Sequence, residues 1–570
     1  MNIPDIITLI AIMIVGGYLL QNRIFCQHQK LSDIVKGLPY RSWVFGNIIA
    51  FRTELDFGAL LGWHDTYGAA YTVRGCLGET RLVISDPAAF KFFFQNPYKF
   101  SRPPLDTLSS DLINGSGAVF SEIGPSHRRL RGVMDLAFRK YASSFQEGTD
   151  AVIQQWIDQC QWQNGRGEQG TINVQQALGK FALTESMHAV LGDTPESDSK
   201  KHTAQKMWIE HSSNILSELI SKPTKRALII ERLAEALLPK TLLRIMLHLP
   251  EERLKRLHRF SKLNADFVNE ILVNYESNQL GCSAEDDSDT TTSPKNNGSS
   301  TSIFSAMIQI NEGLSKSQNK LTLRQIASQV PSMLIAGQDT VGNSLSWALY
   351  ELASHPDWQE RVREEIIAHA RFSGEAECPE PFFRNEGLDS LPCLNAHIKE
   401  TLRFYPGVPM FNRITLEDVV FPLAEPILSA DGESKVTQIL VQKGTRVHFN
   451  LAAYNKTRSI WGEDAGSFNP WRWLPTQRLS ESEQGPVRVS TGLGPYANLS
   501  SFIGGARVCV GWRLSILLMQ TFLTRCLAKF RFKLVENVGI RPIVTFTIFP
   551  ALDNDEDSPS PSLPLGIEML

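Results

Sequence analysis

The chain has 570 residues, of which 42% are hydrophobic and 21% are charged, an ordinary balance for a globular protein. Its formal net charge of −3 argues against nucleic acid as a partner, because nucleic-acid-binding proteins carry an excess of Lys and Arg. The cysteines are scattered and none forms a Cys-x-x-Cys pair, so neither a zinc site nor a disulfide framework is expected. Scattered free thiols fit a reducing cytosol.

The N-terminal twenty residues predict a membrane-spanning helix. Ile6 to Leu20 is apolar and uncharged, and about 20 helical residues cross the hydrocarbon core of a bilayer. A cleaved signal peptide is the alternative, but no Lys or Arg precedes the apolar run and no small-x-small cleavage site follows it. Basic residues after the run place the rest of the chain in the cytosol by the positive-inside rule. We therefore assign 1–22 to a transmembrane signal anchor, 23–45 to a linker and 46–570 to one domain.

The body of the chain is predicted to be mainly α with small β-sheets. Ala69–Arg74 and Thr80–Ser85 favour two strands joined by a turn near Gly78. Apolar residues at three- and four-residue spacing predict helices over three stretches: Pro125 to about Tyr275, Leu321–Ser354 and Leu391–Phe404. Residues 280–302 are polar and predict a mobile surface loop, and 375–386 predict a second loop. The acidic, Ser-Pro-rich tail, 553–570, is expected to fray at its start.

One ten-residue stretch, 502–511, has the pattern Phe-Ile-Gly-Gly-Ala-Arg-Val-Cys-Val-Gly. A long helical pattern begins at Trp512, so Cys509 is expected on a loop that enters a helix N-terminus. The helix dipole there is expected to lower the pKa of the thiol. The glycines would let the backbone approach a flat, bulky ligand. A thiolate in this setting is suited to bind iron, although a lone cysteine is more often a small core residue.

The pattern F-x-x-G-x-R-x-C-x-G resembles the haem-binding loop of the cytochromes P450. That resemblance implies the cytochrome P450 fold and haem b (iron protoporphyrin IX), with Cys509 as the axial ligand of the iron. It also assigns four further positions of the loop to cofactor binding: Phe502, Gly505, Arg507 and Gly511.

A second stretch, Ala336-Gly337-Gln338-Asp339-Thr340, lies in the predicted long helix. A glycine in a helix interior costs about 1 kcal/mol, which close approach of a flat ligand would offset. Alone, the stretch fits a kinked surface helix. It is similar to the oxygen-activating segment of the family, which implies that Ala336 and Gly337 contact the cofactor and that Asp339 and Thr340 are catalytic and relay protons. Pro331 is expected to kink the early part of this helix.

A third signature is the pair Glu400 and Arg403, three residues apart on one helix face. Alone, it fits an exposed salt bridge. The family has the same order, a Glu-x-x-Arg pair followed by a Pro-x-Arg segment, and the resemblance implies that Arg472 completes a buried cluster behind the thiolate loop.

Haem carries two propionates, and the resemblance assigns Arg507, Arg413, Arg131 and His127 to them. His127 stands where the family has tryptophan, and its ring N–H keeps a donor there. Arg128, Arg129, Arg139 and Lys140 could instead form a solvated basic face that steers an acidic electron donor.

The implied reaction is oxygen-atom insertion from O2 into a hydrophobic organic molecule. NADPH-cytochrome P450 reductase, with or without cytochrome b5, supplies the electrons at the endoplasmic reticulum membrane. Family position places the pocket at 103–119, 208–220, 332–336, 407–411 and near Phe549, which predicts a terpenoid, fatty or aromatic substrate. Three alternatives remain: a reductase-independent isomerase, dehydratase or peroxygenase; a haem sensor or carrier; and a haem-free enzyme with a cysteine nucleophile.

Overall fold

The computed structural model describes residues 31–40, 42–49, 57–115, 117–141, 145–164, 170–192, 203–219, 225–238, 242–244, 252–282, 302–315, 319–372, 385–474, 493–555 and 559–570. The predicted transmembrane anchor and most of the two predicted loops lie outside these residues. Within the ranges just given, no helix combines the length and apolar character that are needed to span a bilayer.

Helices make up most of the described chain, as predicted. Those of the N-terminal half are α1 Phe57–Tyr67, α2 Pro87–Gln95, α3 Pro104–Asn114, α4 Gly124–Lys140, α5 Gln146–Asn164, α6 Val174–Leu191, α7 Thr203–Leu219, α8 Lys225–Leu237 and α9 Glu252–Cys282. Those of the C-terminal half are α10 Ile303–Glu312, α11 Leu323–Ala327, α12 Val330–Ser354, α13 Pro356–Phe372, α14 Asn385–Leu388, α15 Pro392–Phe404, α16 Leu451–Tyr454, α17 Arg458–Trp461 and α18 Trp512–Lys529.

The strands form small sheets beside the helices. They are β1 Ala70–Arg74, β2 Thr80–Ile84, β3 Phe100–Ser101, β4 Thr171–Asn173, β5 Met410–Thr415, β6 Val419–Leu428, β7 Lys435–Val441, β8 Arg446–Asn450, β9 Phe530–Leu534, β10 Ile540–Val544, β11 Ile548–Leu552 and β12 Pro564–Met569. The largest sheet has the order β1-β2-β8-β5-β3, and only its β2–β8 pair is parallel. The predicted strand pair β1 and β2 is confirmed.

Helix α12 runs through the centre of the core. Leu334 and Leu345 are fully buried, and the helix packs along α6. A Cβ added at Gly342 would lie 3.0 Å from the Cα of Gly179, so glycines let the two helices approach closely.

The prediction of one kinked helix from Leu321 to Ser354 is wrong. Helix α11 ends at Ala327 and α12 begins at Val330, which places Pro331 in the first turn of α12. Proline fits there because an N–H in the first turn has no partner within the helix. Pro331 therefore helps to start the helix instead of bending it.

The chain ends in strand β12, which follows the acidic segment 553–563, and the fraying expected for that segment stays a prediction. Strand β12 pairs with β9 and β4, and its Leu565 and Ile567 are buried. Alternating apolar residues in β12 give the strand a buried face. The acidic, Ser-Pro-rich composition just before the strand did not predict it.

Candidate active site

The cysteine loop enters helix α18 as predicted. The backbone N–H of Cys509 donates to the carbonyl of Phe502 at 2.9 Å, which closes the loop over a 3-10 turn, Gly505–Arg507. The ring of Phe502 is buried beside Tyr496 and Trp512, with centroids 6.2 and 6.5 Å away. These contacts fix the position of the thiol relative to the helix N-terminus.

Cys509 is exposed, although protein atoms surround its thiol closely enough to desolvate it. This desolvation raises the pKa of the thiol. The predicted lowering of this pKa is therefore wrong for the polypeptide alone: burial outweighs the hydrogen bond from the Gly511 backbone and the charge of Arg131. A positive group bound against the sulfur would reverse this balance.

The glycines of the loop are needed for packing against protein. Gly505 has a φ of +62°, and a Cβ there would lie 2.1 Å from the carbonyl oxygen of Phe94 in α2. A Cβ at Gly504 would lie 2.6 Å from the Phe94 ring, whereas one at Gly511 would make an ordinary 3.6 Å contact with Phe138. Gly504 and Gly505 therefore let the loop pack on α2, and the expectation that the glycines of the loop make room for a flat ligand stays a prediction.

Glu400, Arg403 and Arg472 come together in a buried cluster, which we call the Glu400 cluster. Arg403 donates to both carboxylate oxygens of Glu400 at 2.8 Å. Arg472 donates to the same carboxylate at 3.1 Å, and Trp473 donates at 2.9 Å. Arg403 and Glu400 have fully buried side chains. Arg472 also pairs with Asp464 at 2.8 Å, so two carboxylates compensate the two arginines within the chain.

The Glu400 cluster is joined to the cysteine loop by hydrogen bonds. Arg403 donates to the carbonyl of Asn455 at 2.8 Å. The amide of Asn455 accepts from the hydroxyl of Ser500 at 2.9 Å and donates to the hydroxyl of Ser501 at 2.9 Å. Ser500 and Ser501 lie just before the loop, so the cluster positions the segment that carries Cys509.

Three arginines, Arg102, Arg413 and Arg507, form a second group, which we call the arginine cluster. Burial, then the charges of Arg102 and Arg507, holds the pKa of Arg413 well below its usual range. Burial and the charge of Arg102 lower the pKa of Arg507 to about 10. Among the described residues, none of the three makes a salt bridge; Arg507 donates to the carbonyl of Glu122 at 2.9 Å. Asp106 and Asp111 offset part of this charge without a salt bridge to the cluster, which therefore keeps an excess of positive charge.

His127 and Arg131 approach this cluster from helix α4. His127 is buried, and its Nδ1 has no hydrogen-bond partner among the described residues. Burial and the charges of Arg507 and Arg131 lower the pKa of His127 to about 3, so the ring is neutral at pH 7 and keeps one N–H donor. Arg131 pairs with Asp135 at 2.8 Å. His127 thus faces a site of positive charge with a free polar atom.

Asp339 and Thr340 lie next to each other in helix α12. The hydroxyl of Thr340 donates to the carbonyl of Ala336 at 2.6 Å. Burial raises the pKa of Asp339 to about 6. A Cβ at Gly407 would lie 3.6 Å from the Cβ of Thr340, so the segment leading to β5 and Arg413 passes beside this hydroxyl.

Gly337 lies where α12 packs against α6, a role that the sequence prediction missed. A Cβ there would lie 2.4 Å from the hydroxyl oxygen of Ser186 in α6. The glycine is therefore needed for helix packing, and the expectation that it admits a flat ligand is not required to explain it.

The donor set fits haem. The thiol of Cys509 suits the iron, and half-buried arginines that make no salt bridge, together with the free polar atom of His127, suit two carboxylates. Arg102 was missed in the sequence, because a single arginine before Pro103 carries no spacing signal. Asn455 and Trp473 were missed for the same reason; the tertiary structure alone brings them to the site.

Comparison with known proteins agrees with this site. The family model described as Cytochrome P450 matches residues 36–552. Cytochrome P450 monooxygenase 205 of Postia placenta is 28% identical over 508 residues, covering 88% of this chain and 86% of the relative. Ganoderic acid synthetase CYP5150L8 of Ganoderma lucidum is 34% identical over 266 residues, 46% of either chain.

A solved structure has the same fold. The structure titled "Retinoic acid bound cyanobacterial CYP120A1" gives a TM-score of 0.63 at 20% identity, covering 94% of this chain and 99% of that one. The family model and the relatives together define a haem-dependent oxidoreductase. The chain belongs to the cytochrome P450 family, and it is a monooxygenase with haem as its cofactor.

Proposed function

We propose that this monooxygenase hydroxylates or epoxidises a hydrophobic organic molecule, with electrons that come from NADPH through cytochrome P450 reductase. The observation that supports this most is the presence, in one described chain, of the Cys509 loop and an arginine cluster that makes no salt bridge with any described acid. When bound, the haem would supply activation of O2, and the sulfur of Cys509 would hold its iron and donate electron density to it. The protein holds this group, positions the substrate and moves protons.

Asp339 is suited to carry protons to the site. Because burial brings its pKa to about 6, the carboxyl is close to the point where it both donates and accepts near neutral pH. Thr340 follows it on α12, and its hydroxyl returns to the Ala336 carbonyl one turn earlier. In the proposed role, the Thr340 hydroxyl would hold O2 and a water at the site, and Asp339 would replace the proton that the reaction consumes.

The proposed substrate is apolar, of the terpenoid, fatty or aromatic class. The predicted pocket segments contain buried or half-buried apolar side chains such as Val119, Ile335 and Phe549. The name of one relative, ganoderic acid synthetase, supports a role in secondary metabolism. An apolar substrate that partitions into lipid also agrees with the proposed location at the endoplasmic reticulum membrane through residues 1–22.

A ligand panel tests the substrate class. Terpenoids, fatty acids and aromatic compounds are titrated into the purified holoprotein, and the change of spin state is read from the haem absorption spectrum. We expect responses to apolar compounds. Response only to polar, charged compounds would contradict the proposal.

Product analysis then separates the proposed reaction from its alternatives. With a responding ligand, NADPH, reductase and 18O2, the product should gain one labelled oxygen atom, and omission of the reductase should abolish it. Turnover without reductase or NADPH would favour an isomerase, dehydratase or peroxygenase. Binding with no turnover under any condition would favour a sensor.

A further inference from the structure

Trp347 and Tyr405 form a stacked aromatic pair inside the protein. Their ring centroids lie 4.1 Å apart, and the two ring planes differ by only 5°. Trp347 belongs to α12, Tyr405 directly follows α15, and both residues are buried. They form part of a small apolar cluster, separate from the main core, together with Ala452 and Ile548. The two rings are therefore held in one geometry and in surroundings of low polarity.

The phenol of this pair faces a buried carboxylate. The hydroxyl of Tyr405 donates to one oxygen of Glu351 at 2.7 Å, and the other oxygen lies 3.4 Å from Nδ1 of His355. Burial and the charge of Glu351 hold the pKa of Tyr405 well above its usual range, so the phenol keeps its proton at neutral pH. A phenol that loses an electron becomes a strong acid. Glu351 is a base in direct contact that can receive the proton at that moment.

Both rings belong to chain segments that pass Thr340. Trp347 follows Thr340 by seven residues on α12, which is about 10 Å along the helix axis. Tyr405 precedes Gly407 by two residues, and a Cβ at Gly407 would lie 3.6 Å from the Cβ of Thr340. The pair therefore lies near the residues to which the oxygen chemistry is assigned.

A third ring continues the pair outward. The ring of Tyr350 lies 5.5 Å from that of Trp347, at 90° to it. Trp347 is buried, whereas Tyr350 is half-buried and has part of its surface accessible to solvent. Tryptophan and tyrosine are the aromatic residues whose rings give up an electron most readily. The order Tyr405, Trp347, Tyr350 is thus a continuous row of oxidisable rings that leads outward.

We propose that these three rings form a one-electron outlet, which removes oxidising equivalents from the active site when no substrate takes them up. Bound haem with hydrogen peroxide would supply the oxidant. Tyr405 gives one electron to that oxidant, and its O–H bond breaks as the proton passes to Glu351. The products are a neutral tyrosyl radical and a protonated carboxyl.

The outlet is then reset from the surface. Tyr350 loses an electron, relayed through Trp347, and releases its phenolic proton to solvent. That electron and the proton held by Glu351 restore Tyr405. A thiol or ascorbate in solution donates a hydrogen atom to Tyr350, which returns all three rings to their starting state. The inference rests on the haem that Cys509 holds, but neither on the reductase nor on the substrate class proposed above.

Electron paramagnetic resonance tests the outlet in the full-length holoprotein. Substrate-free protein that contains ring-deuterated tyrosine is mixed with hydrogen peroxide and rapidly frozen, so that a tyrosyl radical is recognised by its altered hyperfine pattern. We expect a tyrosyl radical in wild type and its loss in Tyr405→Phe, which keeps the stacked ring. Tyr454→Phe is the matched control and should keep the signal, because the hydroxyl of this buried tyrosine donates to a backbone carbonyl, that of Asn498.

Two further variants separate a redox role from a packing role. Glu351→Gln keeps the size of the side chain but removes the base, so the radical yield should fall roughly tenfold. Tyr350→Phe should keep the radical, but ascorbate should no longer shorten its lifetime. Circular dichroism and haem content confirm that each variant is folded and loaded, and either of these two variants carries the test if Tyr405→Phe does not fold.

The outcomes distinguish this inference from the proposed function. Haem-loaded wild type without a tyrosyl radical would overturn the outlet and leave the monooxygenase proposal intact, as would equal signals in wild type, Tyr405→Phe and Glu351→Gln. Wild-type protein that binds no haem would overturn both. Mass spectrometry with a nitroso spin trap supplies an independent readout: we expect peroxide-dependent adducts on Tyr405 or Tyr350, and adducts on neither residue would contradict the proposal.

Discussion

Two groups of buried arginines lie near the thiolate loop, and they differ in one respect. In the Glu400 cluster, Arg403 and Arg472 share one carboxylate, and Arg403 also donates to three backbone carbonyls at 2.7–2.8 Å. In the arginine cluster, Arg102, Arg413 and Arg507 repel one another, with no salt bridge among the described residues. With Asp464 beside Arg472, the first group has one carboxylate for each arginine, whereas the charge of the second is only partly offset by Asp106 and Asp111, so an anion from outside the chain would stabilise it.

This difference separates structural charges from binding charges without reference to sequence motifs. A buried cation with its own acid stabilises the fold, and a buried cation without one stores repulsion that a bound anion relieves. The comparison predicts different losses for the two groups. Loss of an arginine from the Glu400 cluster should lower the stability of the polypeptide, whereas loss of an arginine from the arginine cluster should weaken only the binding of haem.

The largest effect is expected at Glu400. Glu400→Gln leaves Arg403 buried without a counter-charge and leaves Arg472 with Asp464 alone, which should lower the free energy of unfolding by about 3–5 kcal/mol. Urea unfolding of the holoprotein, followed by circular dichroism, measures this. Glu463→Gln removes a carboxylate that is 92% exposed and should change stability little. Equal effects of the two substitutions would show that the buried cluster is not structural.

Arg413→Leu should separate the holoprotein from the apoprotein. Without a charge-assisted hydrogen bond to a propionate, haem should dissociate roughly tenfold to a hundredfold faster, since such bonds contribute about 1.5–3 kcal/mol. The apoprotein should be as stable as wild type or more stable, because the repulsion among the three arginines falls. Haem transfer to apomyoglobin measures the first quantity and urea unfolding the second.

The matched control for that experiment is Arg458→Leu, whose arginine side chain is 71% exposed. It should alter neither quantity. If Arg413→Leu destabilised the apoprotein and left haem dissociation unchanged, the arginine cluster would be structural and the comparison would fail.

A moderate effect is expected at Thr340. Thr340→Ala should retain haem but divert electrons to hydrogen peroxide, because the hydroxyl that orders the proton path is gone. The ratio of peroxide formed to NADPH consumed should rise severalfold with reductase and a responding substrate. Ser344→Ala removes a hydroxyl that donates to the Thr340 carbonyl at 2.7 Å and leaves the Thr340 side chain in place, so it serves as control. An unchanged ratio in Thr340→Ala would show that this residue lies outside the proton path.

The smallest effect concerns His127 and pH. Its pKa is about 3 in the folded protein and about 6.5 in an unfolded chain, so the unfolded state binds the extra proton between these values. This group should therefore cost stability as pH falls below about 6.5, and His127→Trp should remove that part of the slope while keeping an N–H donor. Urea unfolding of both apoproteins between pH 7 and pH 5 measures it; parallel slopes would contradict the assignment.

Local sequence patterns predicted much of this molecule. The helical content, the β1–β2 pair, helix α15 and the loop that carries Cys509 follow from apolar spacing and from the positions of glycine and proline. Glu400 and Arg403 are neighbours on one helix face, so their pairing was also within reach of a sequence argument.

Other features depend on contacts between distant segments. Gly337 is explained by Ser186 of another helix, and Gly505 by Phe94. The pKa of Cys509 is raised because surrounding protein outweighs the helix N-terminus, and a sequence does not state how deep a thiol lies. Arg102 approaches Arg413 and Arg507 only through the tertiary fold. The sequence therefore could not show that Arg102 belongs to this cluster or that it makes no salt bridge there.

The most direct test of the account is the absorption spectrum of the reduced, carbon-monoxide-bound protein, recorded together with its iron content. Wild type should bind one haem and show the red-shifted Soret band of thiolate ligation. Cys509→Ser should lose that band, whereas Cys393→Ser, which changes a buried cysteine in α15, should keep it. Correctly folded wild-type protein that is colourless and free of iron, or a Cys509→Ser variant with an unchanged spectrum, would contradict the assignment of Cys509 as the ligand.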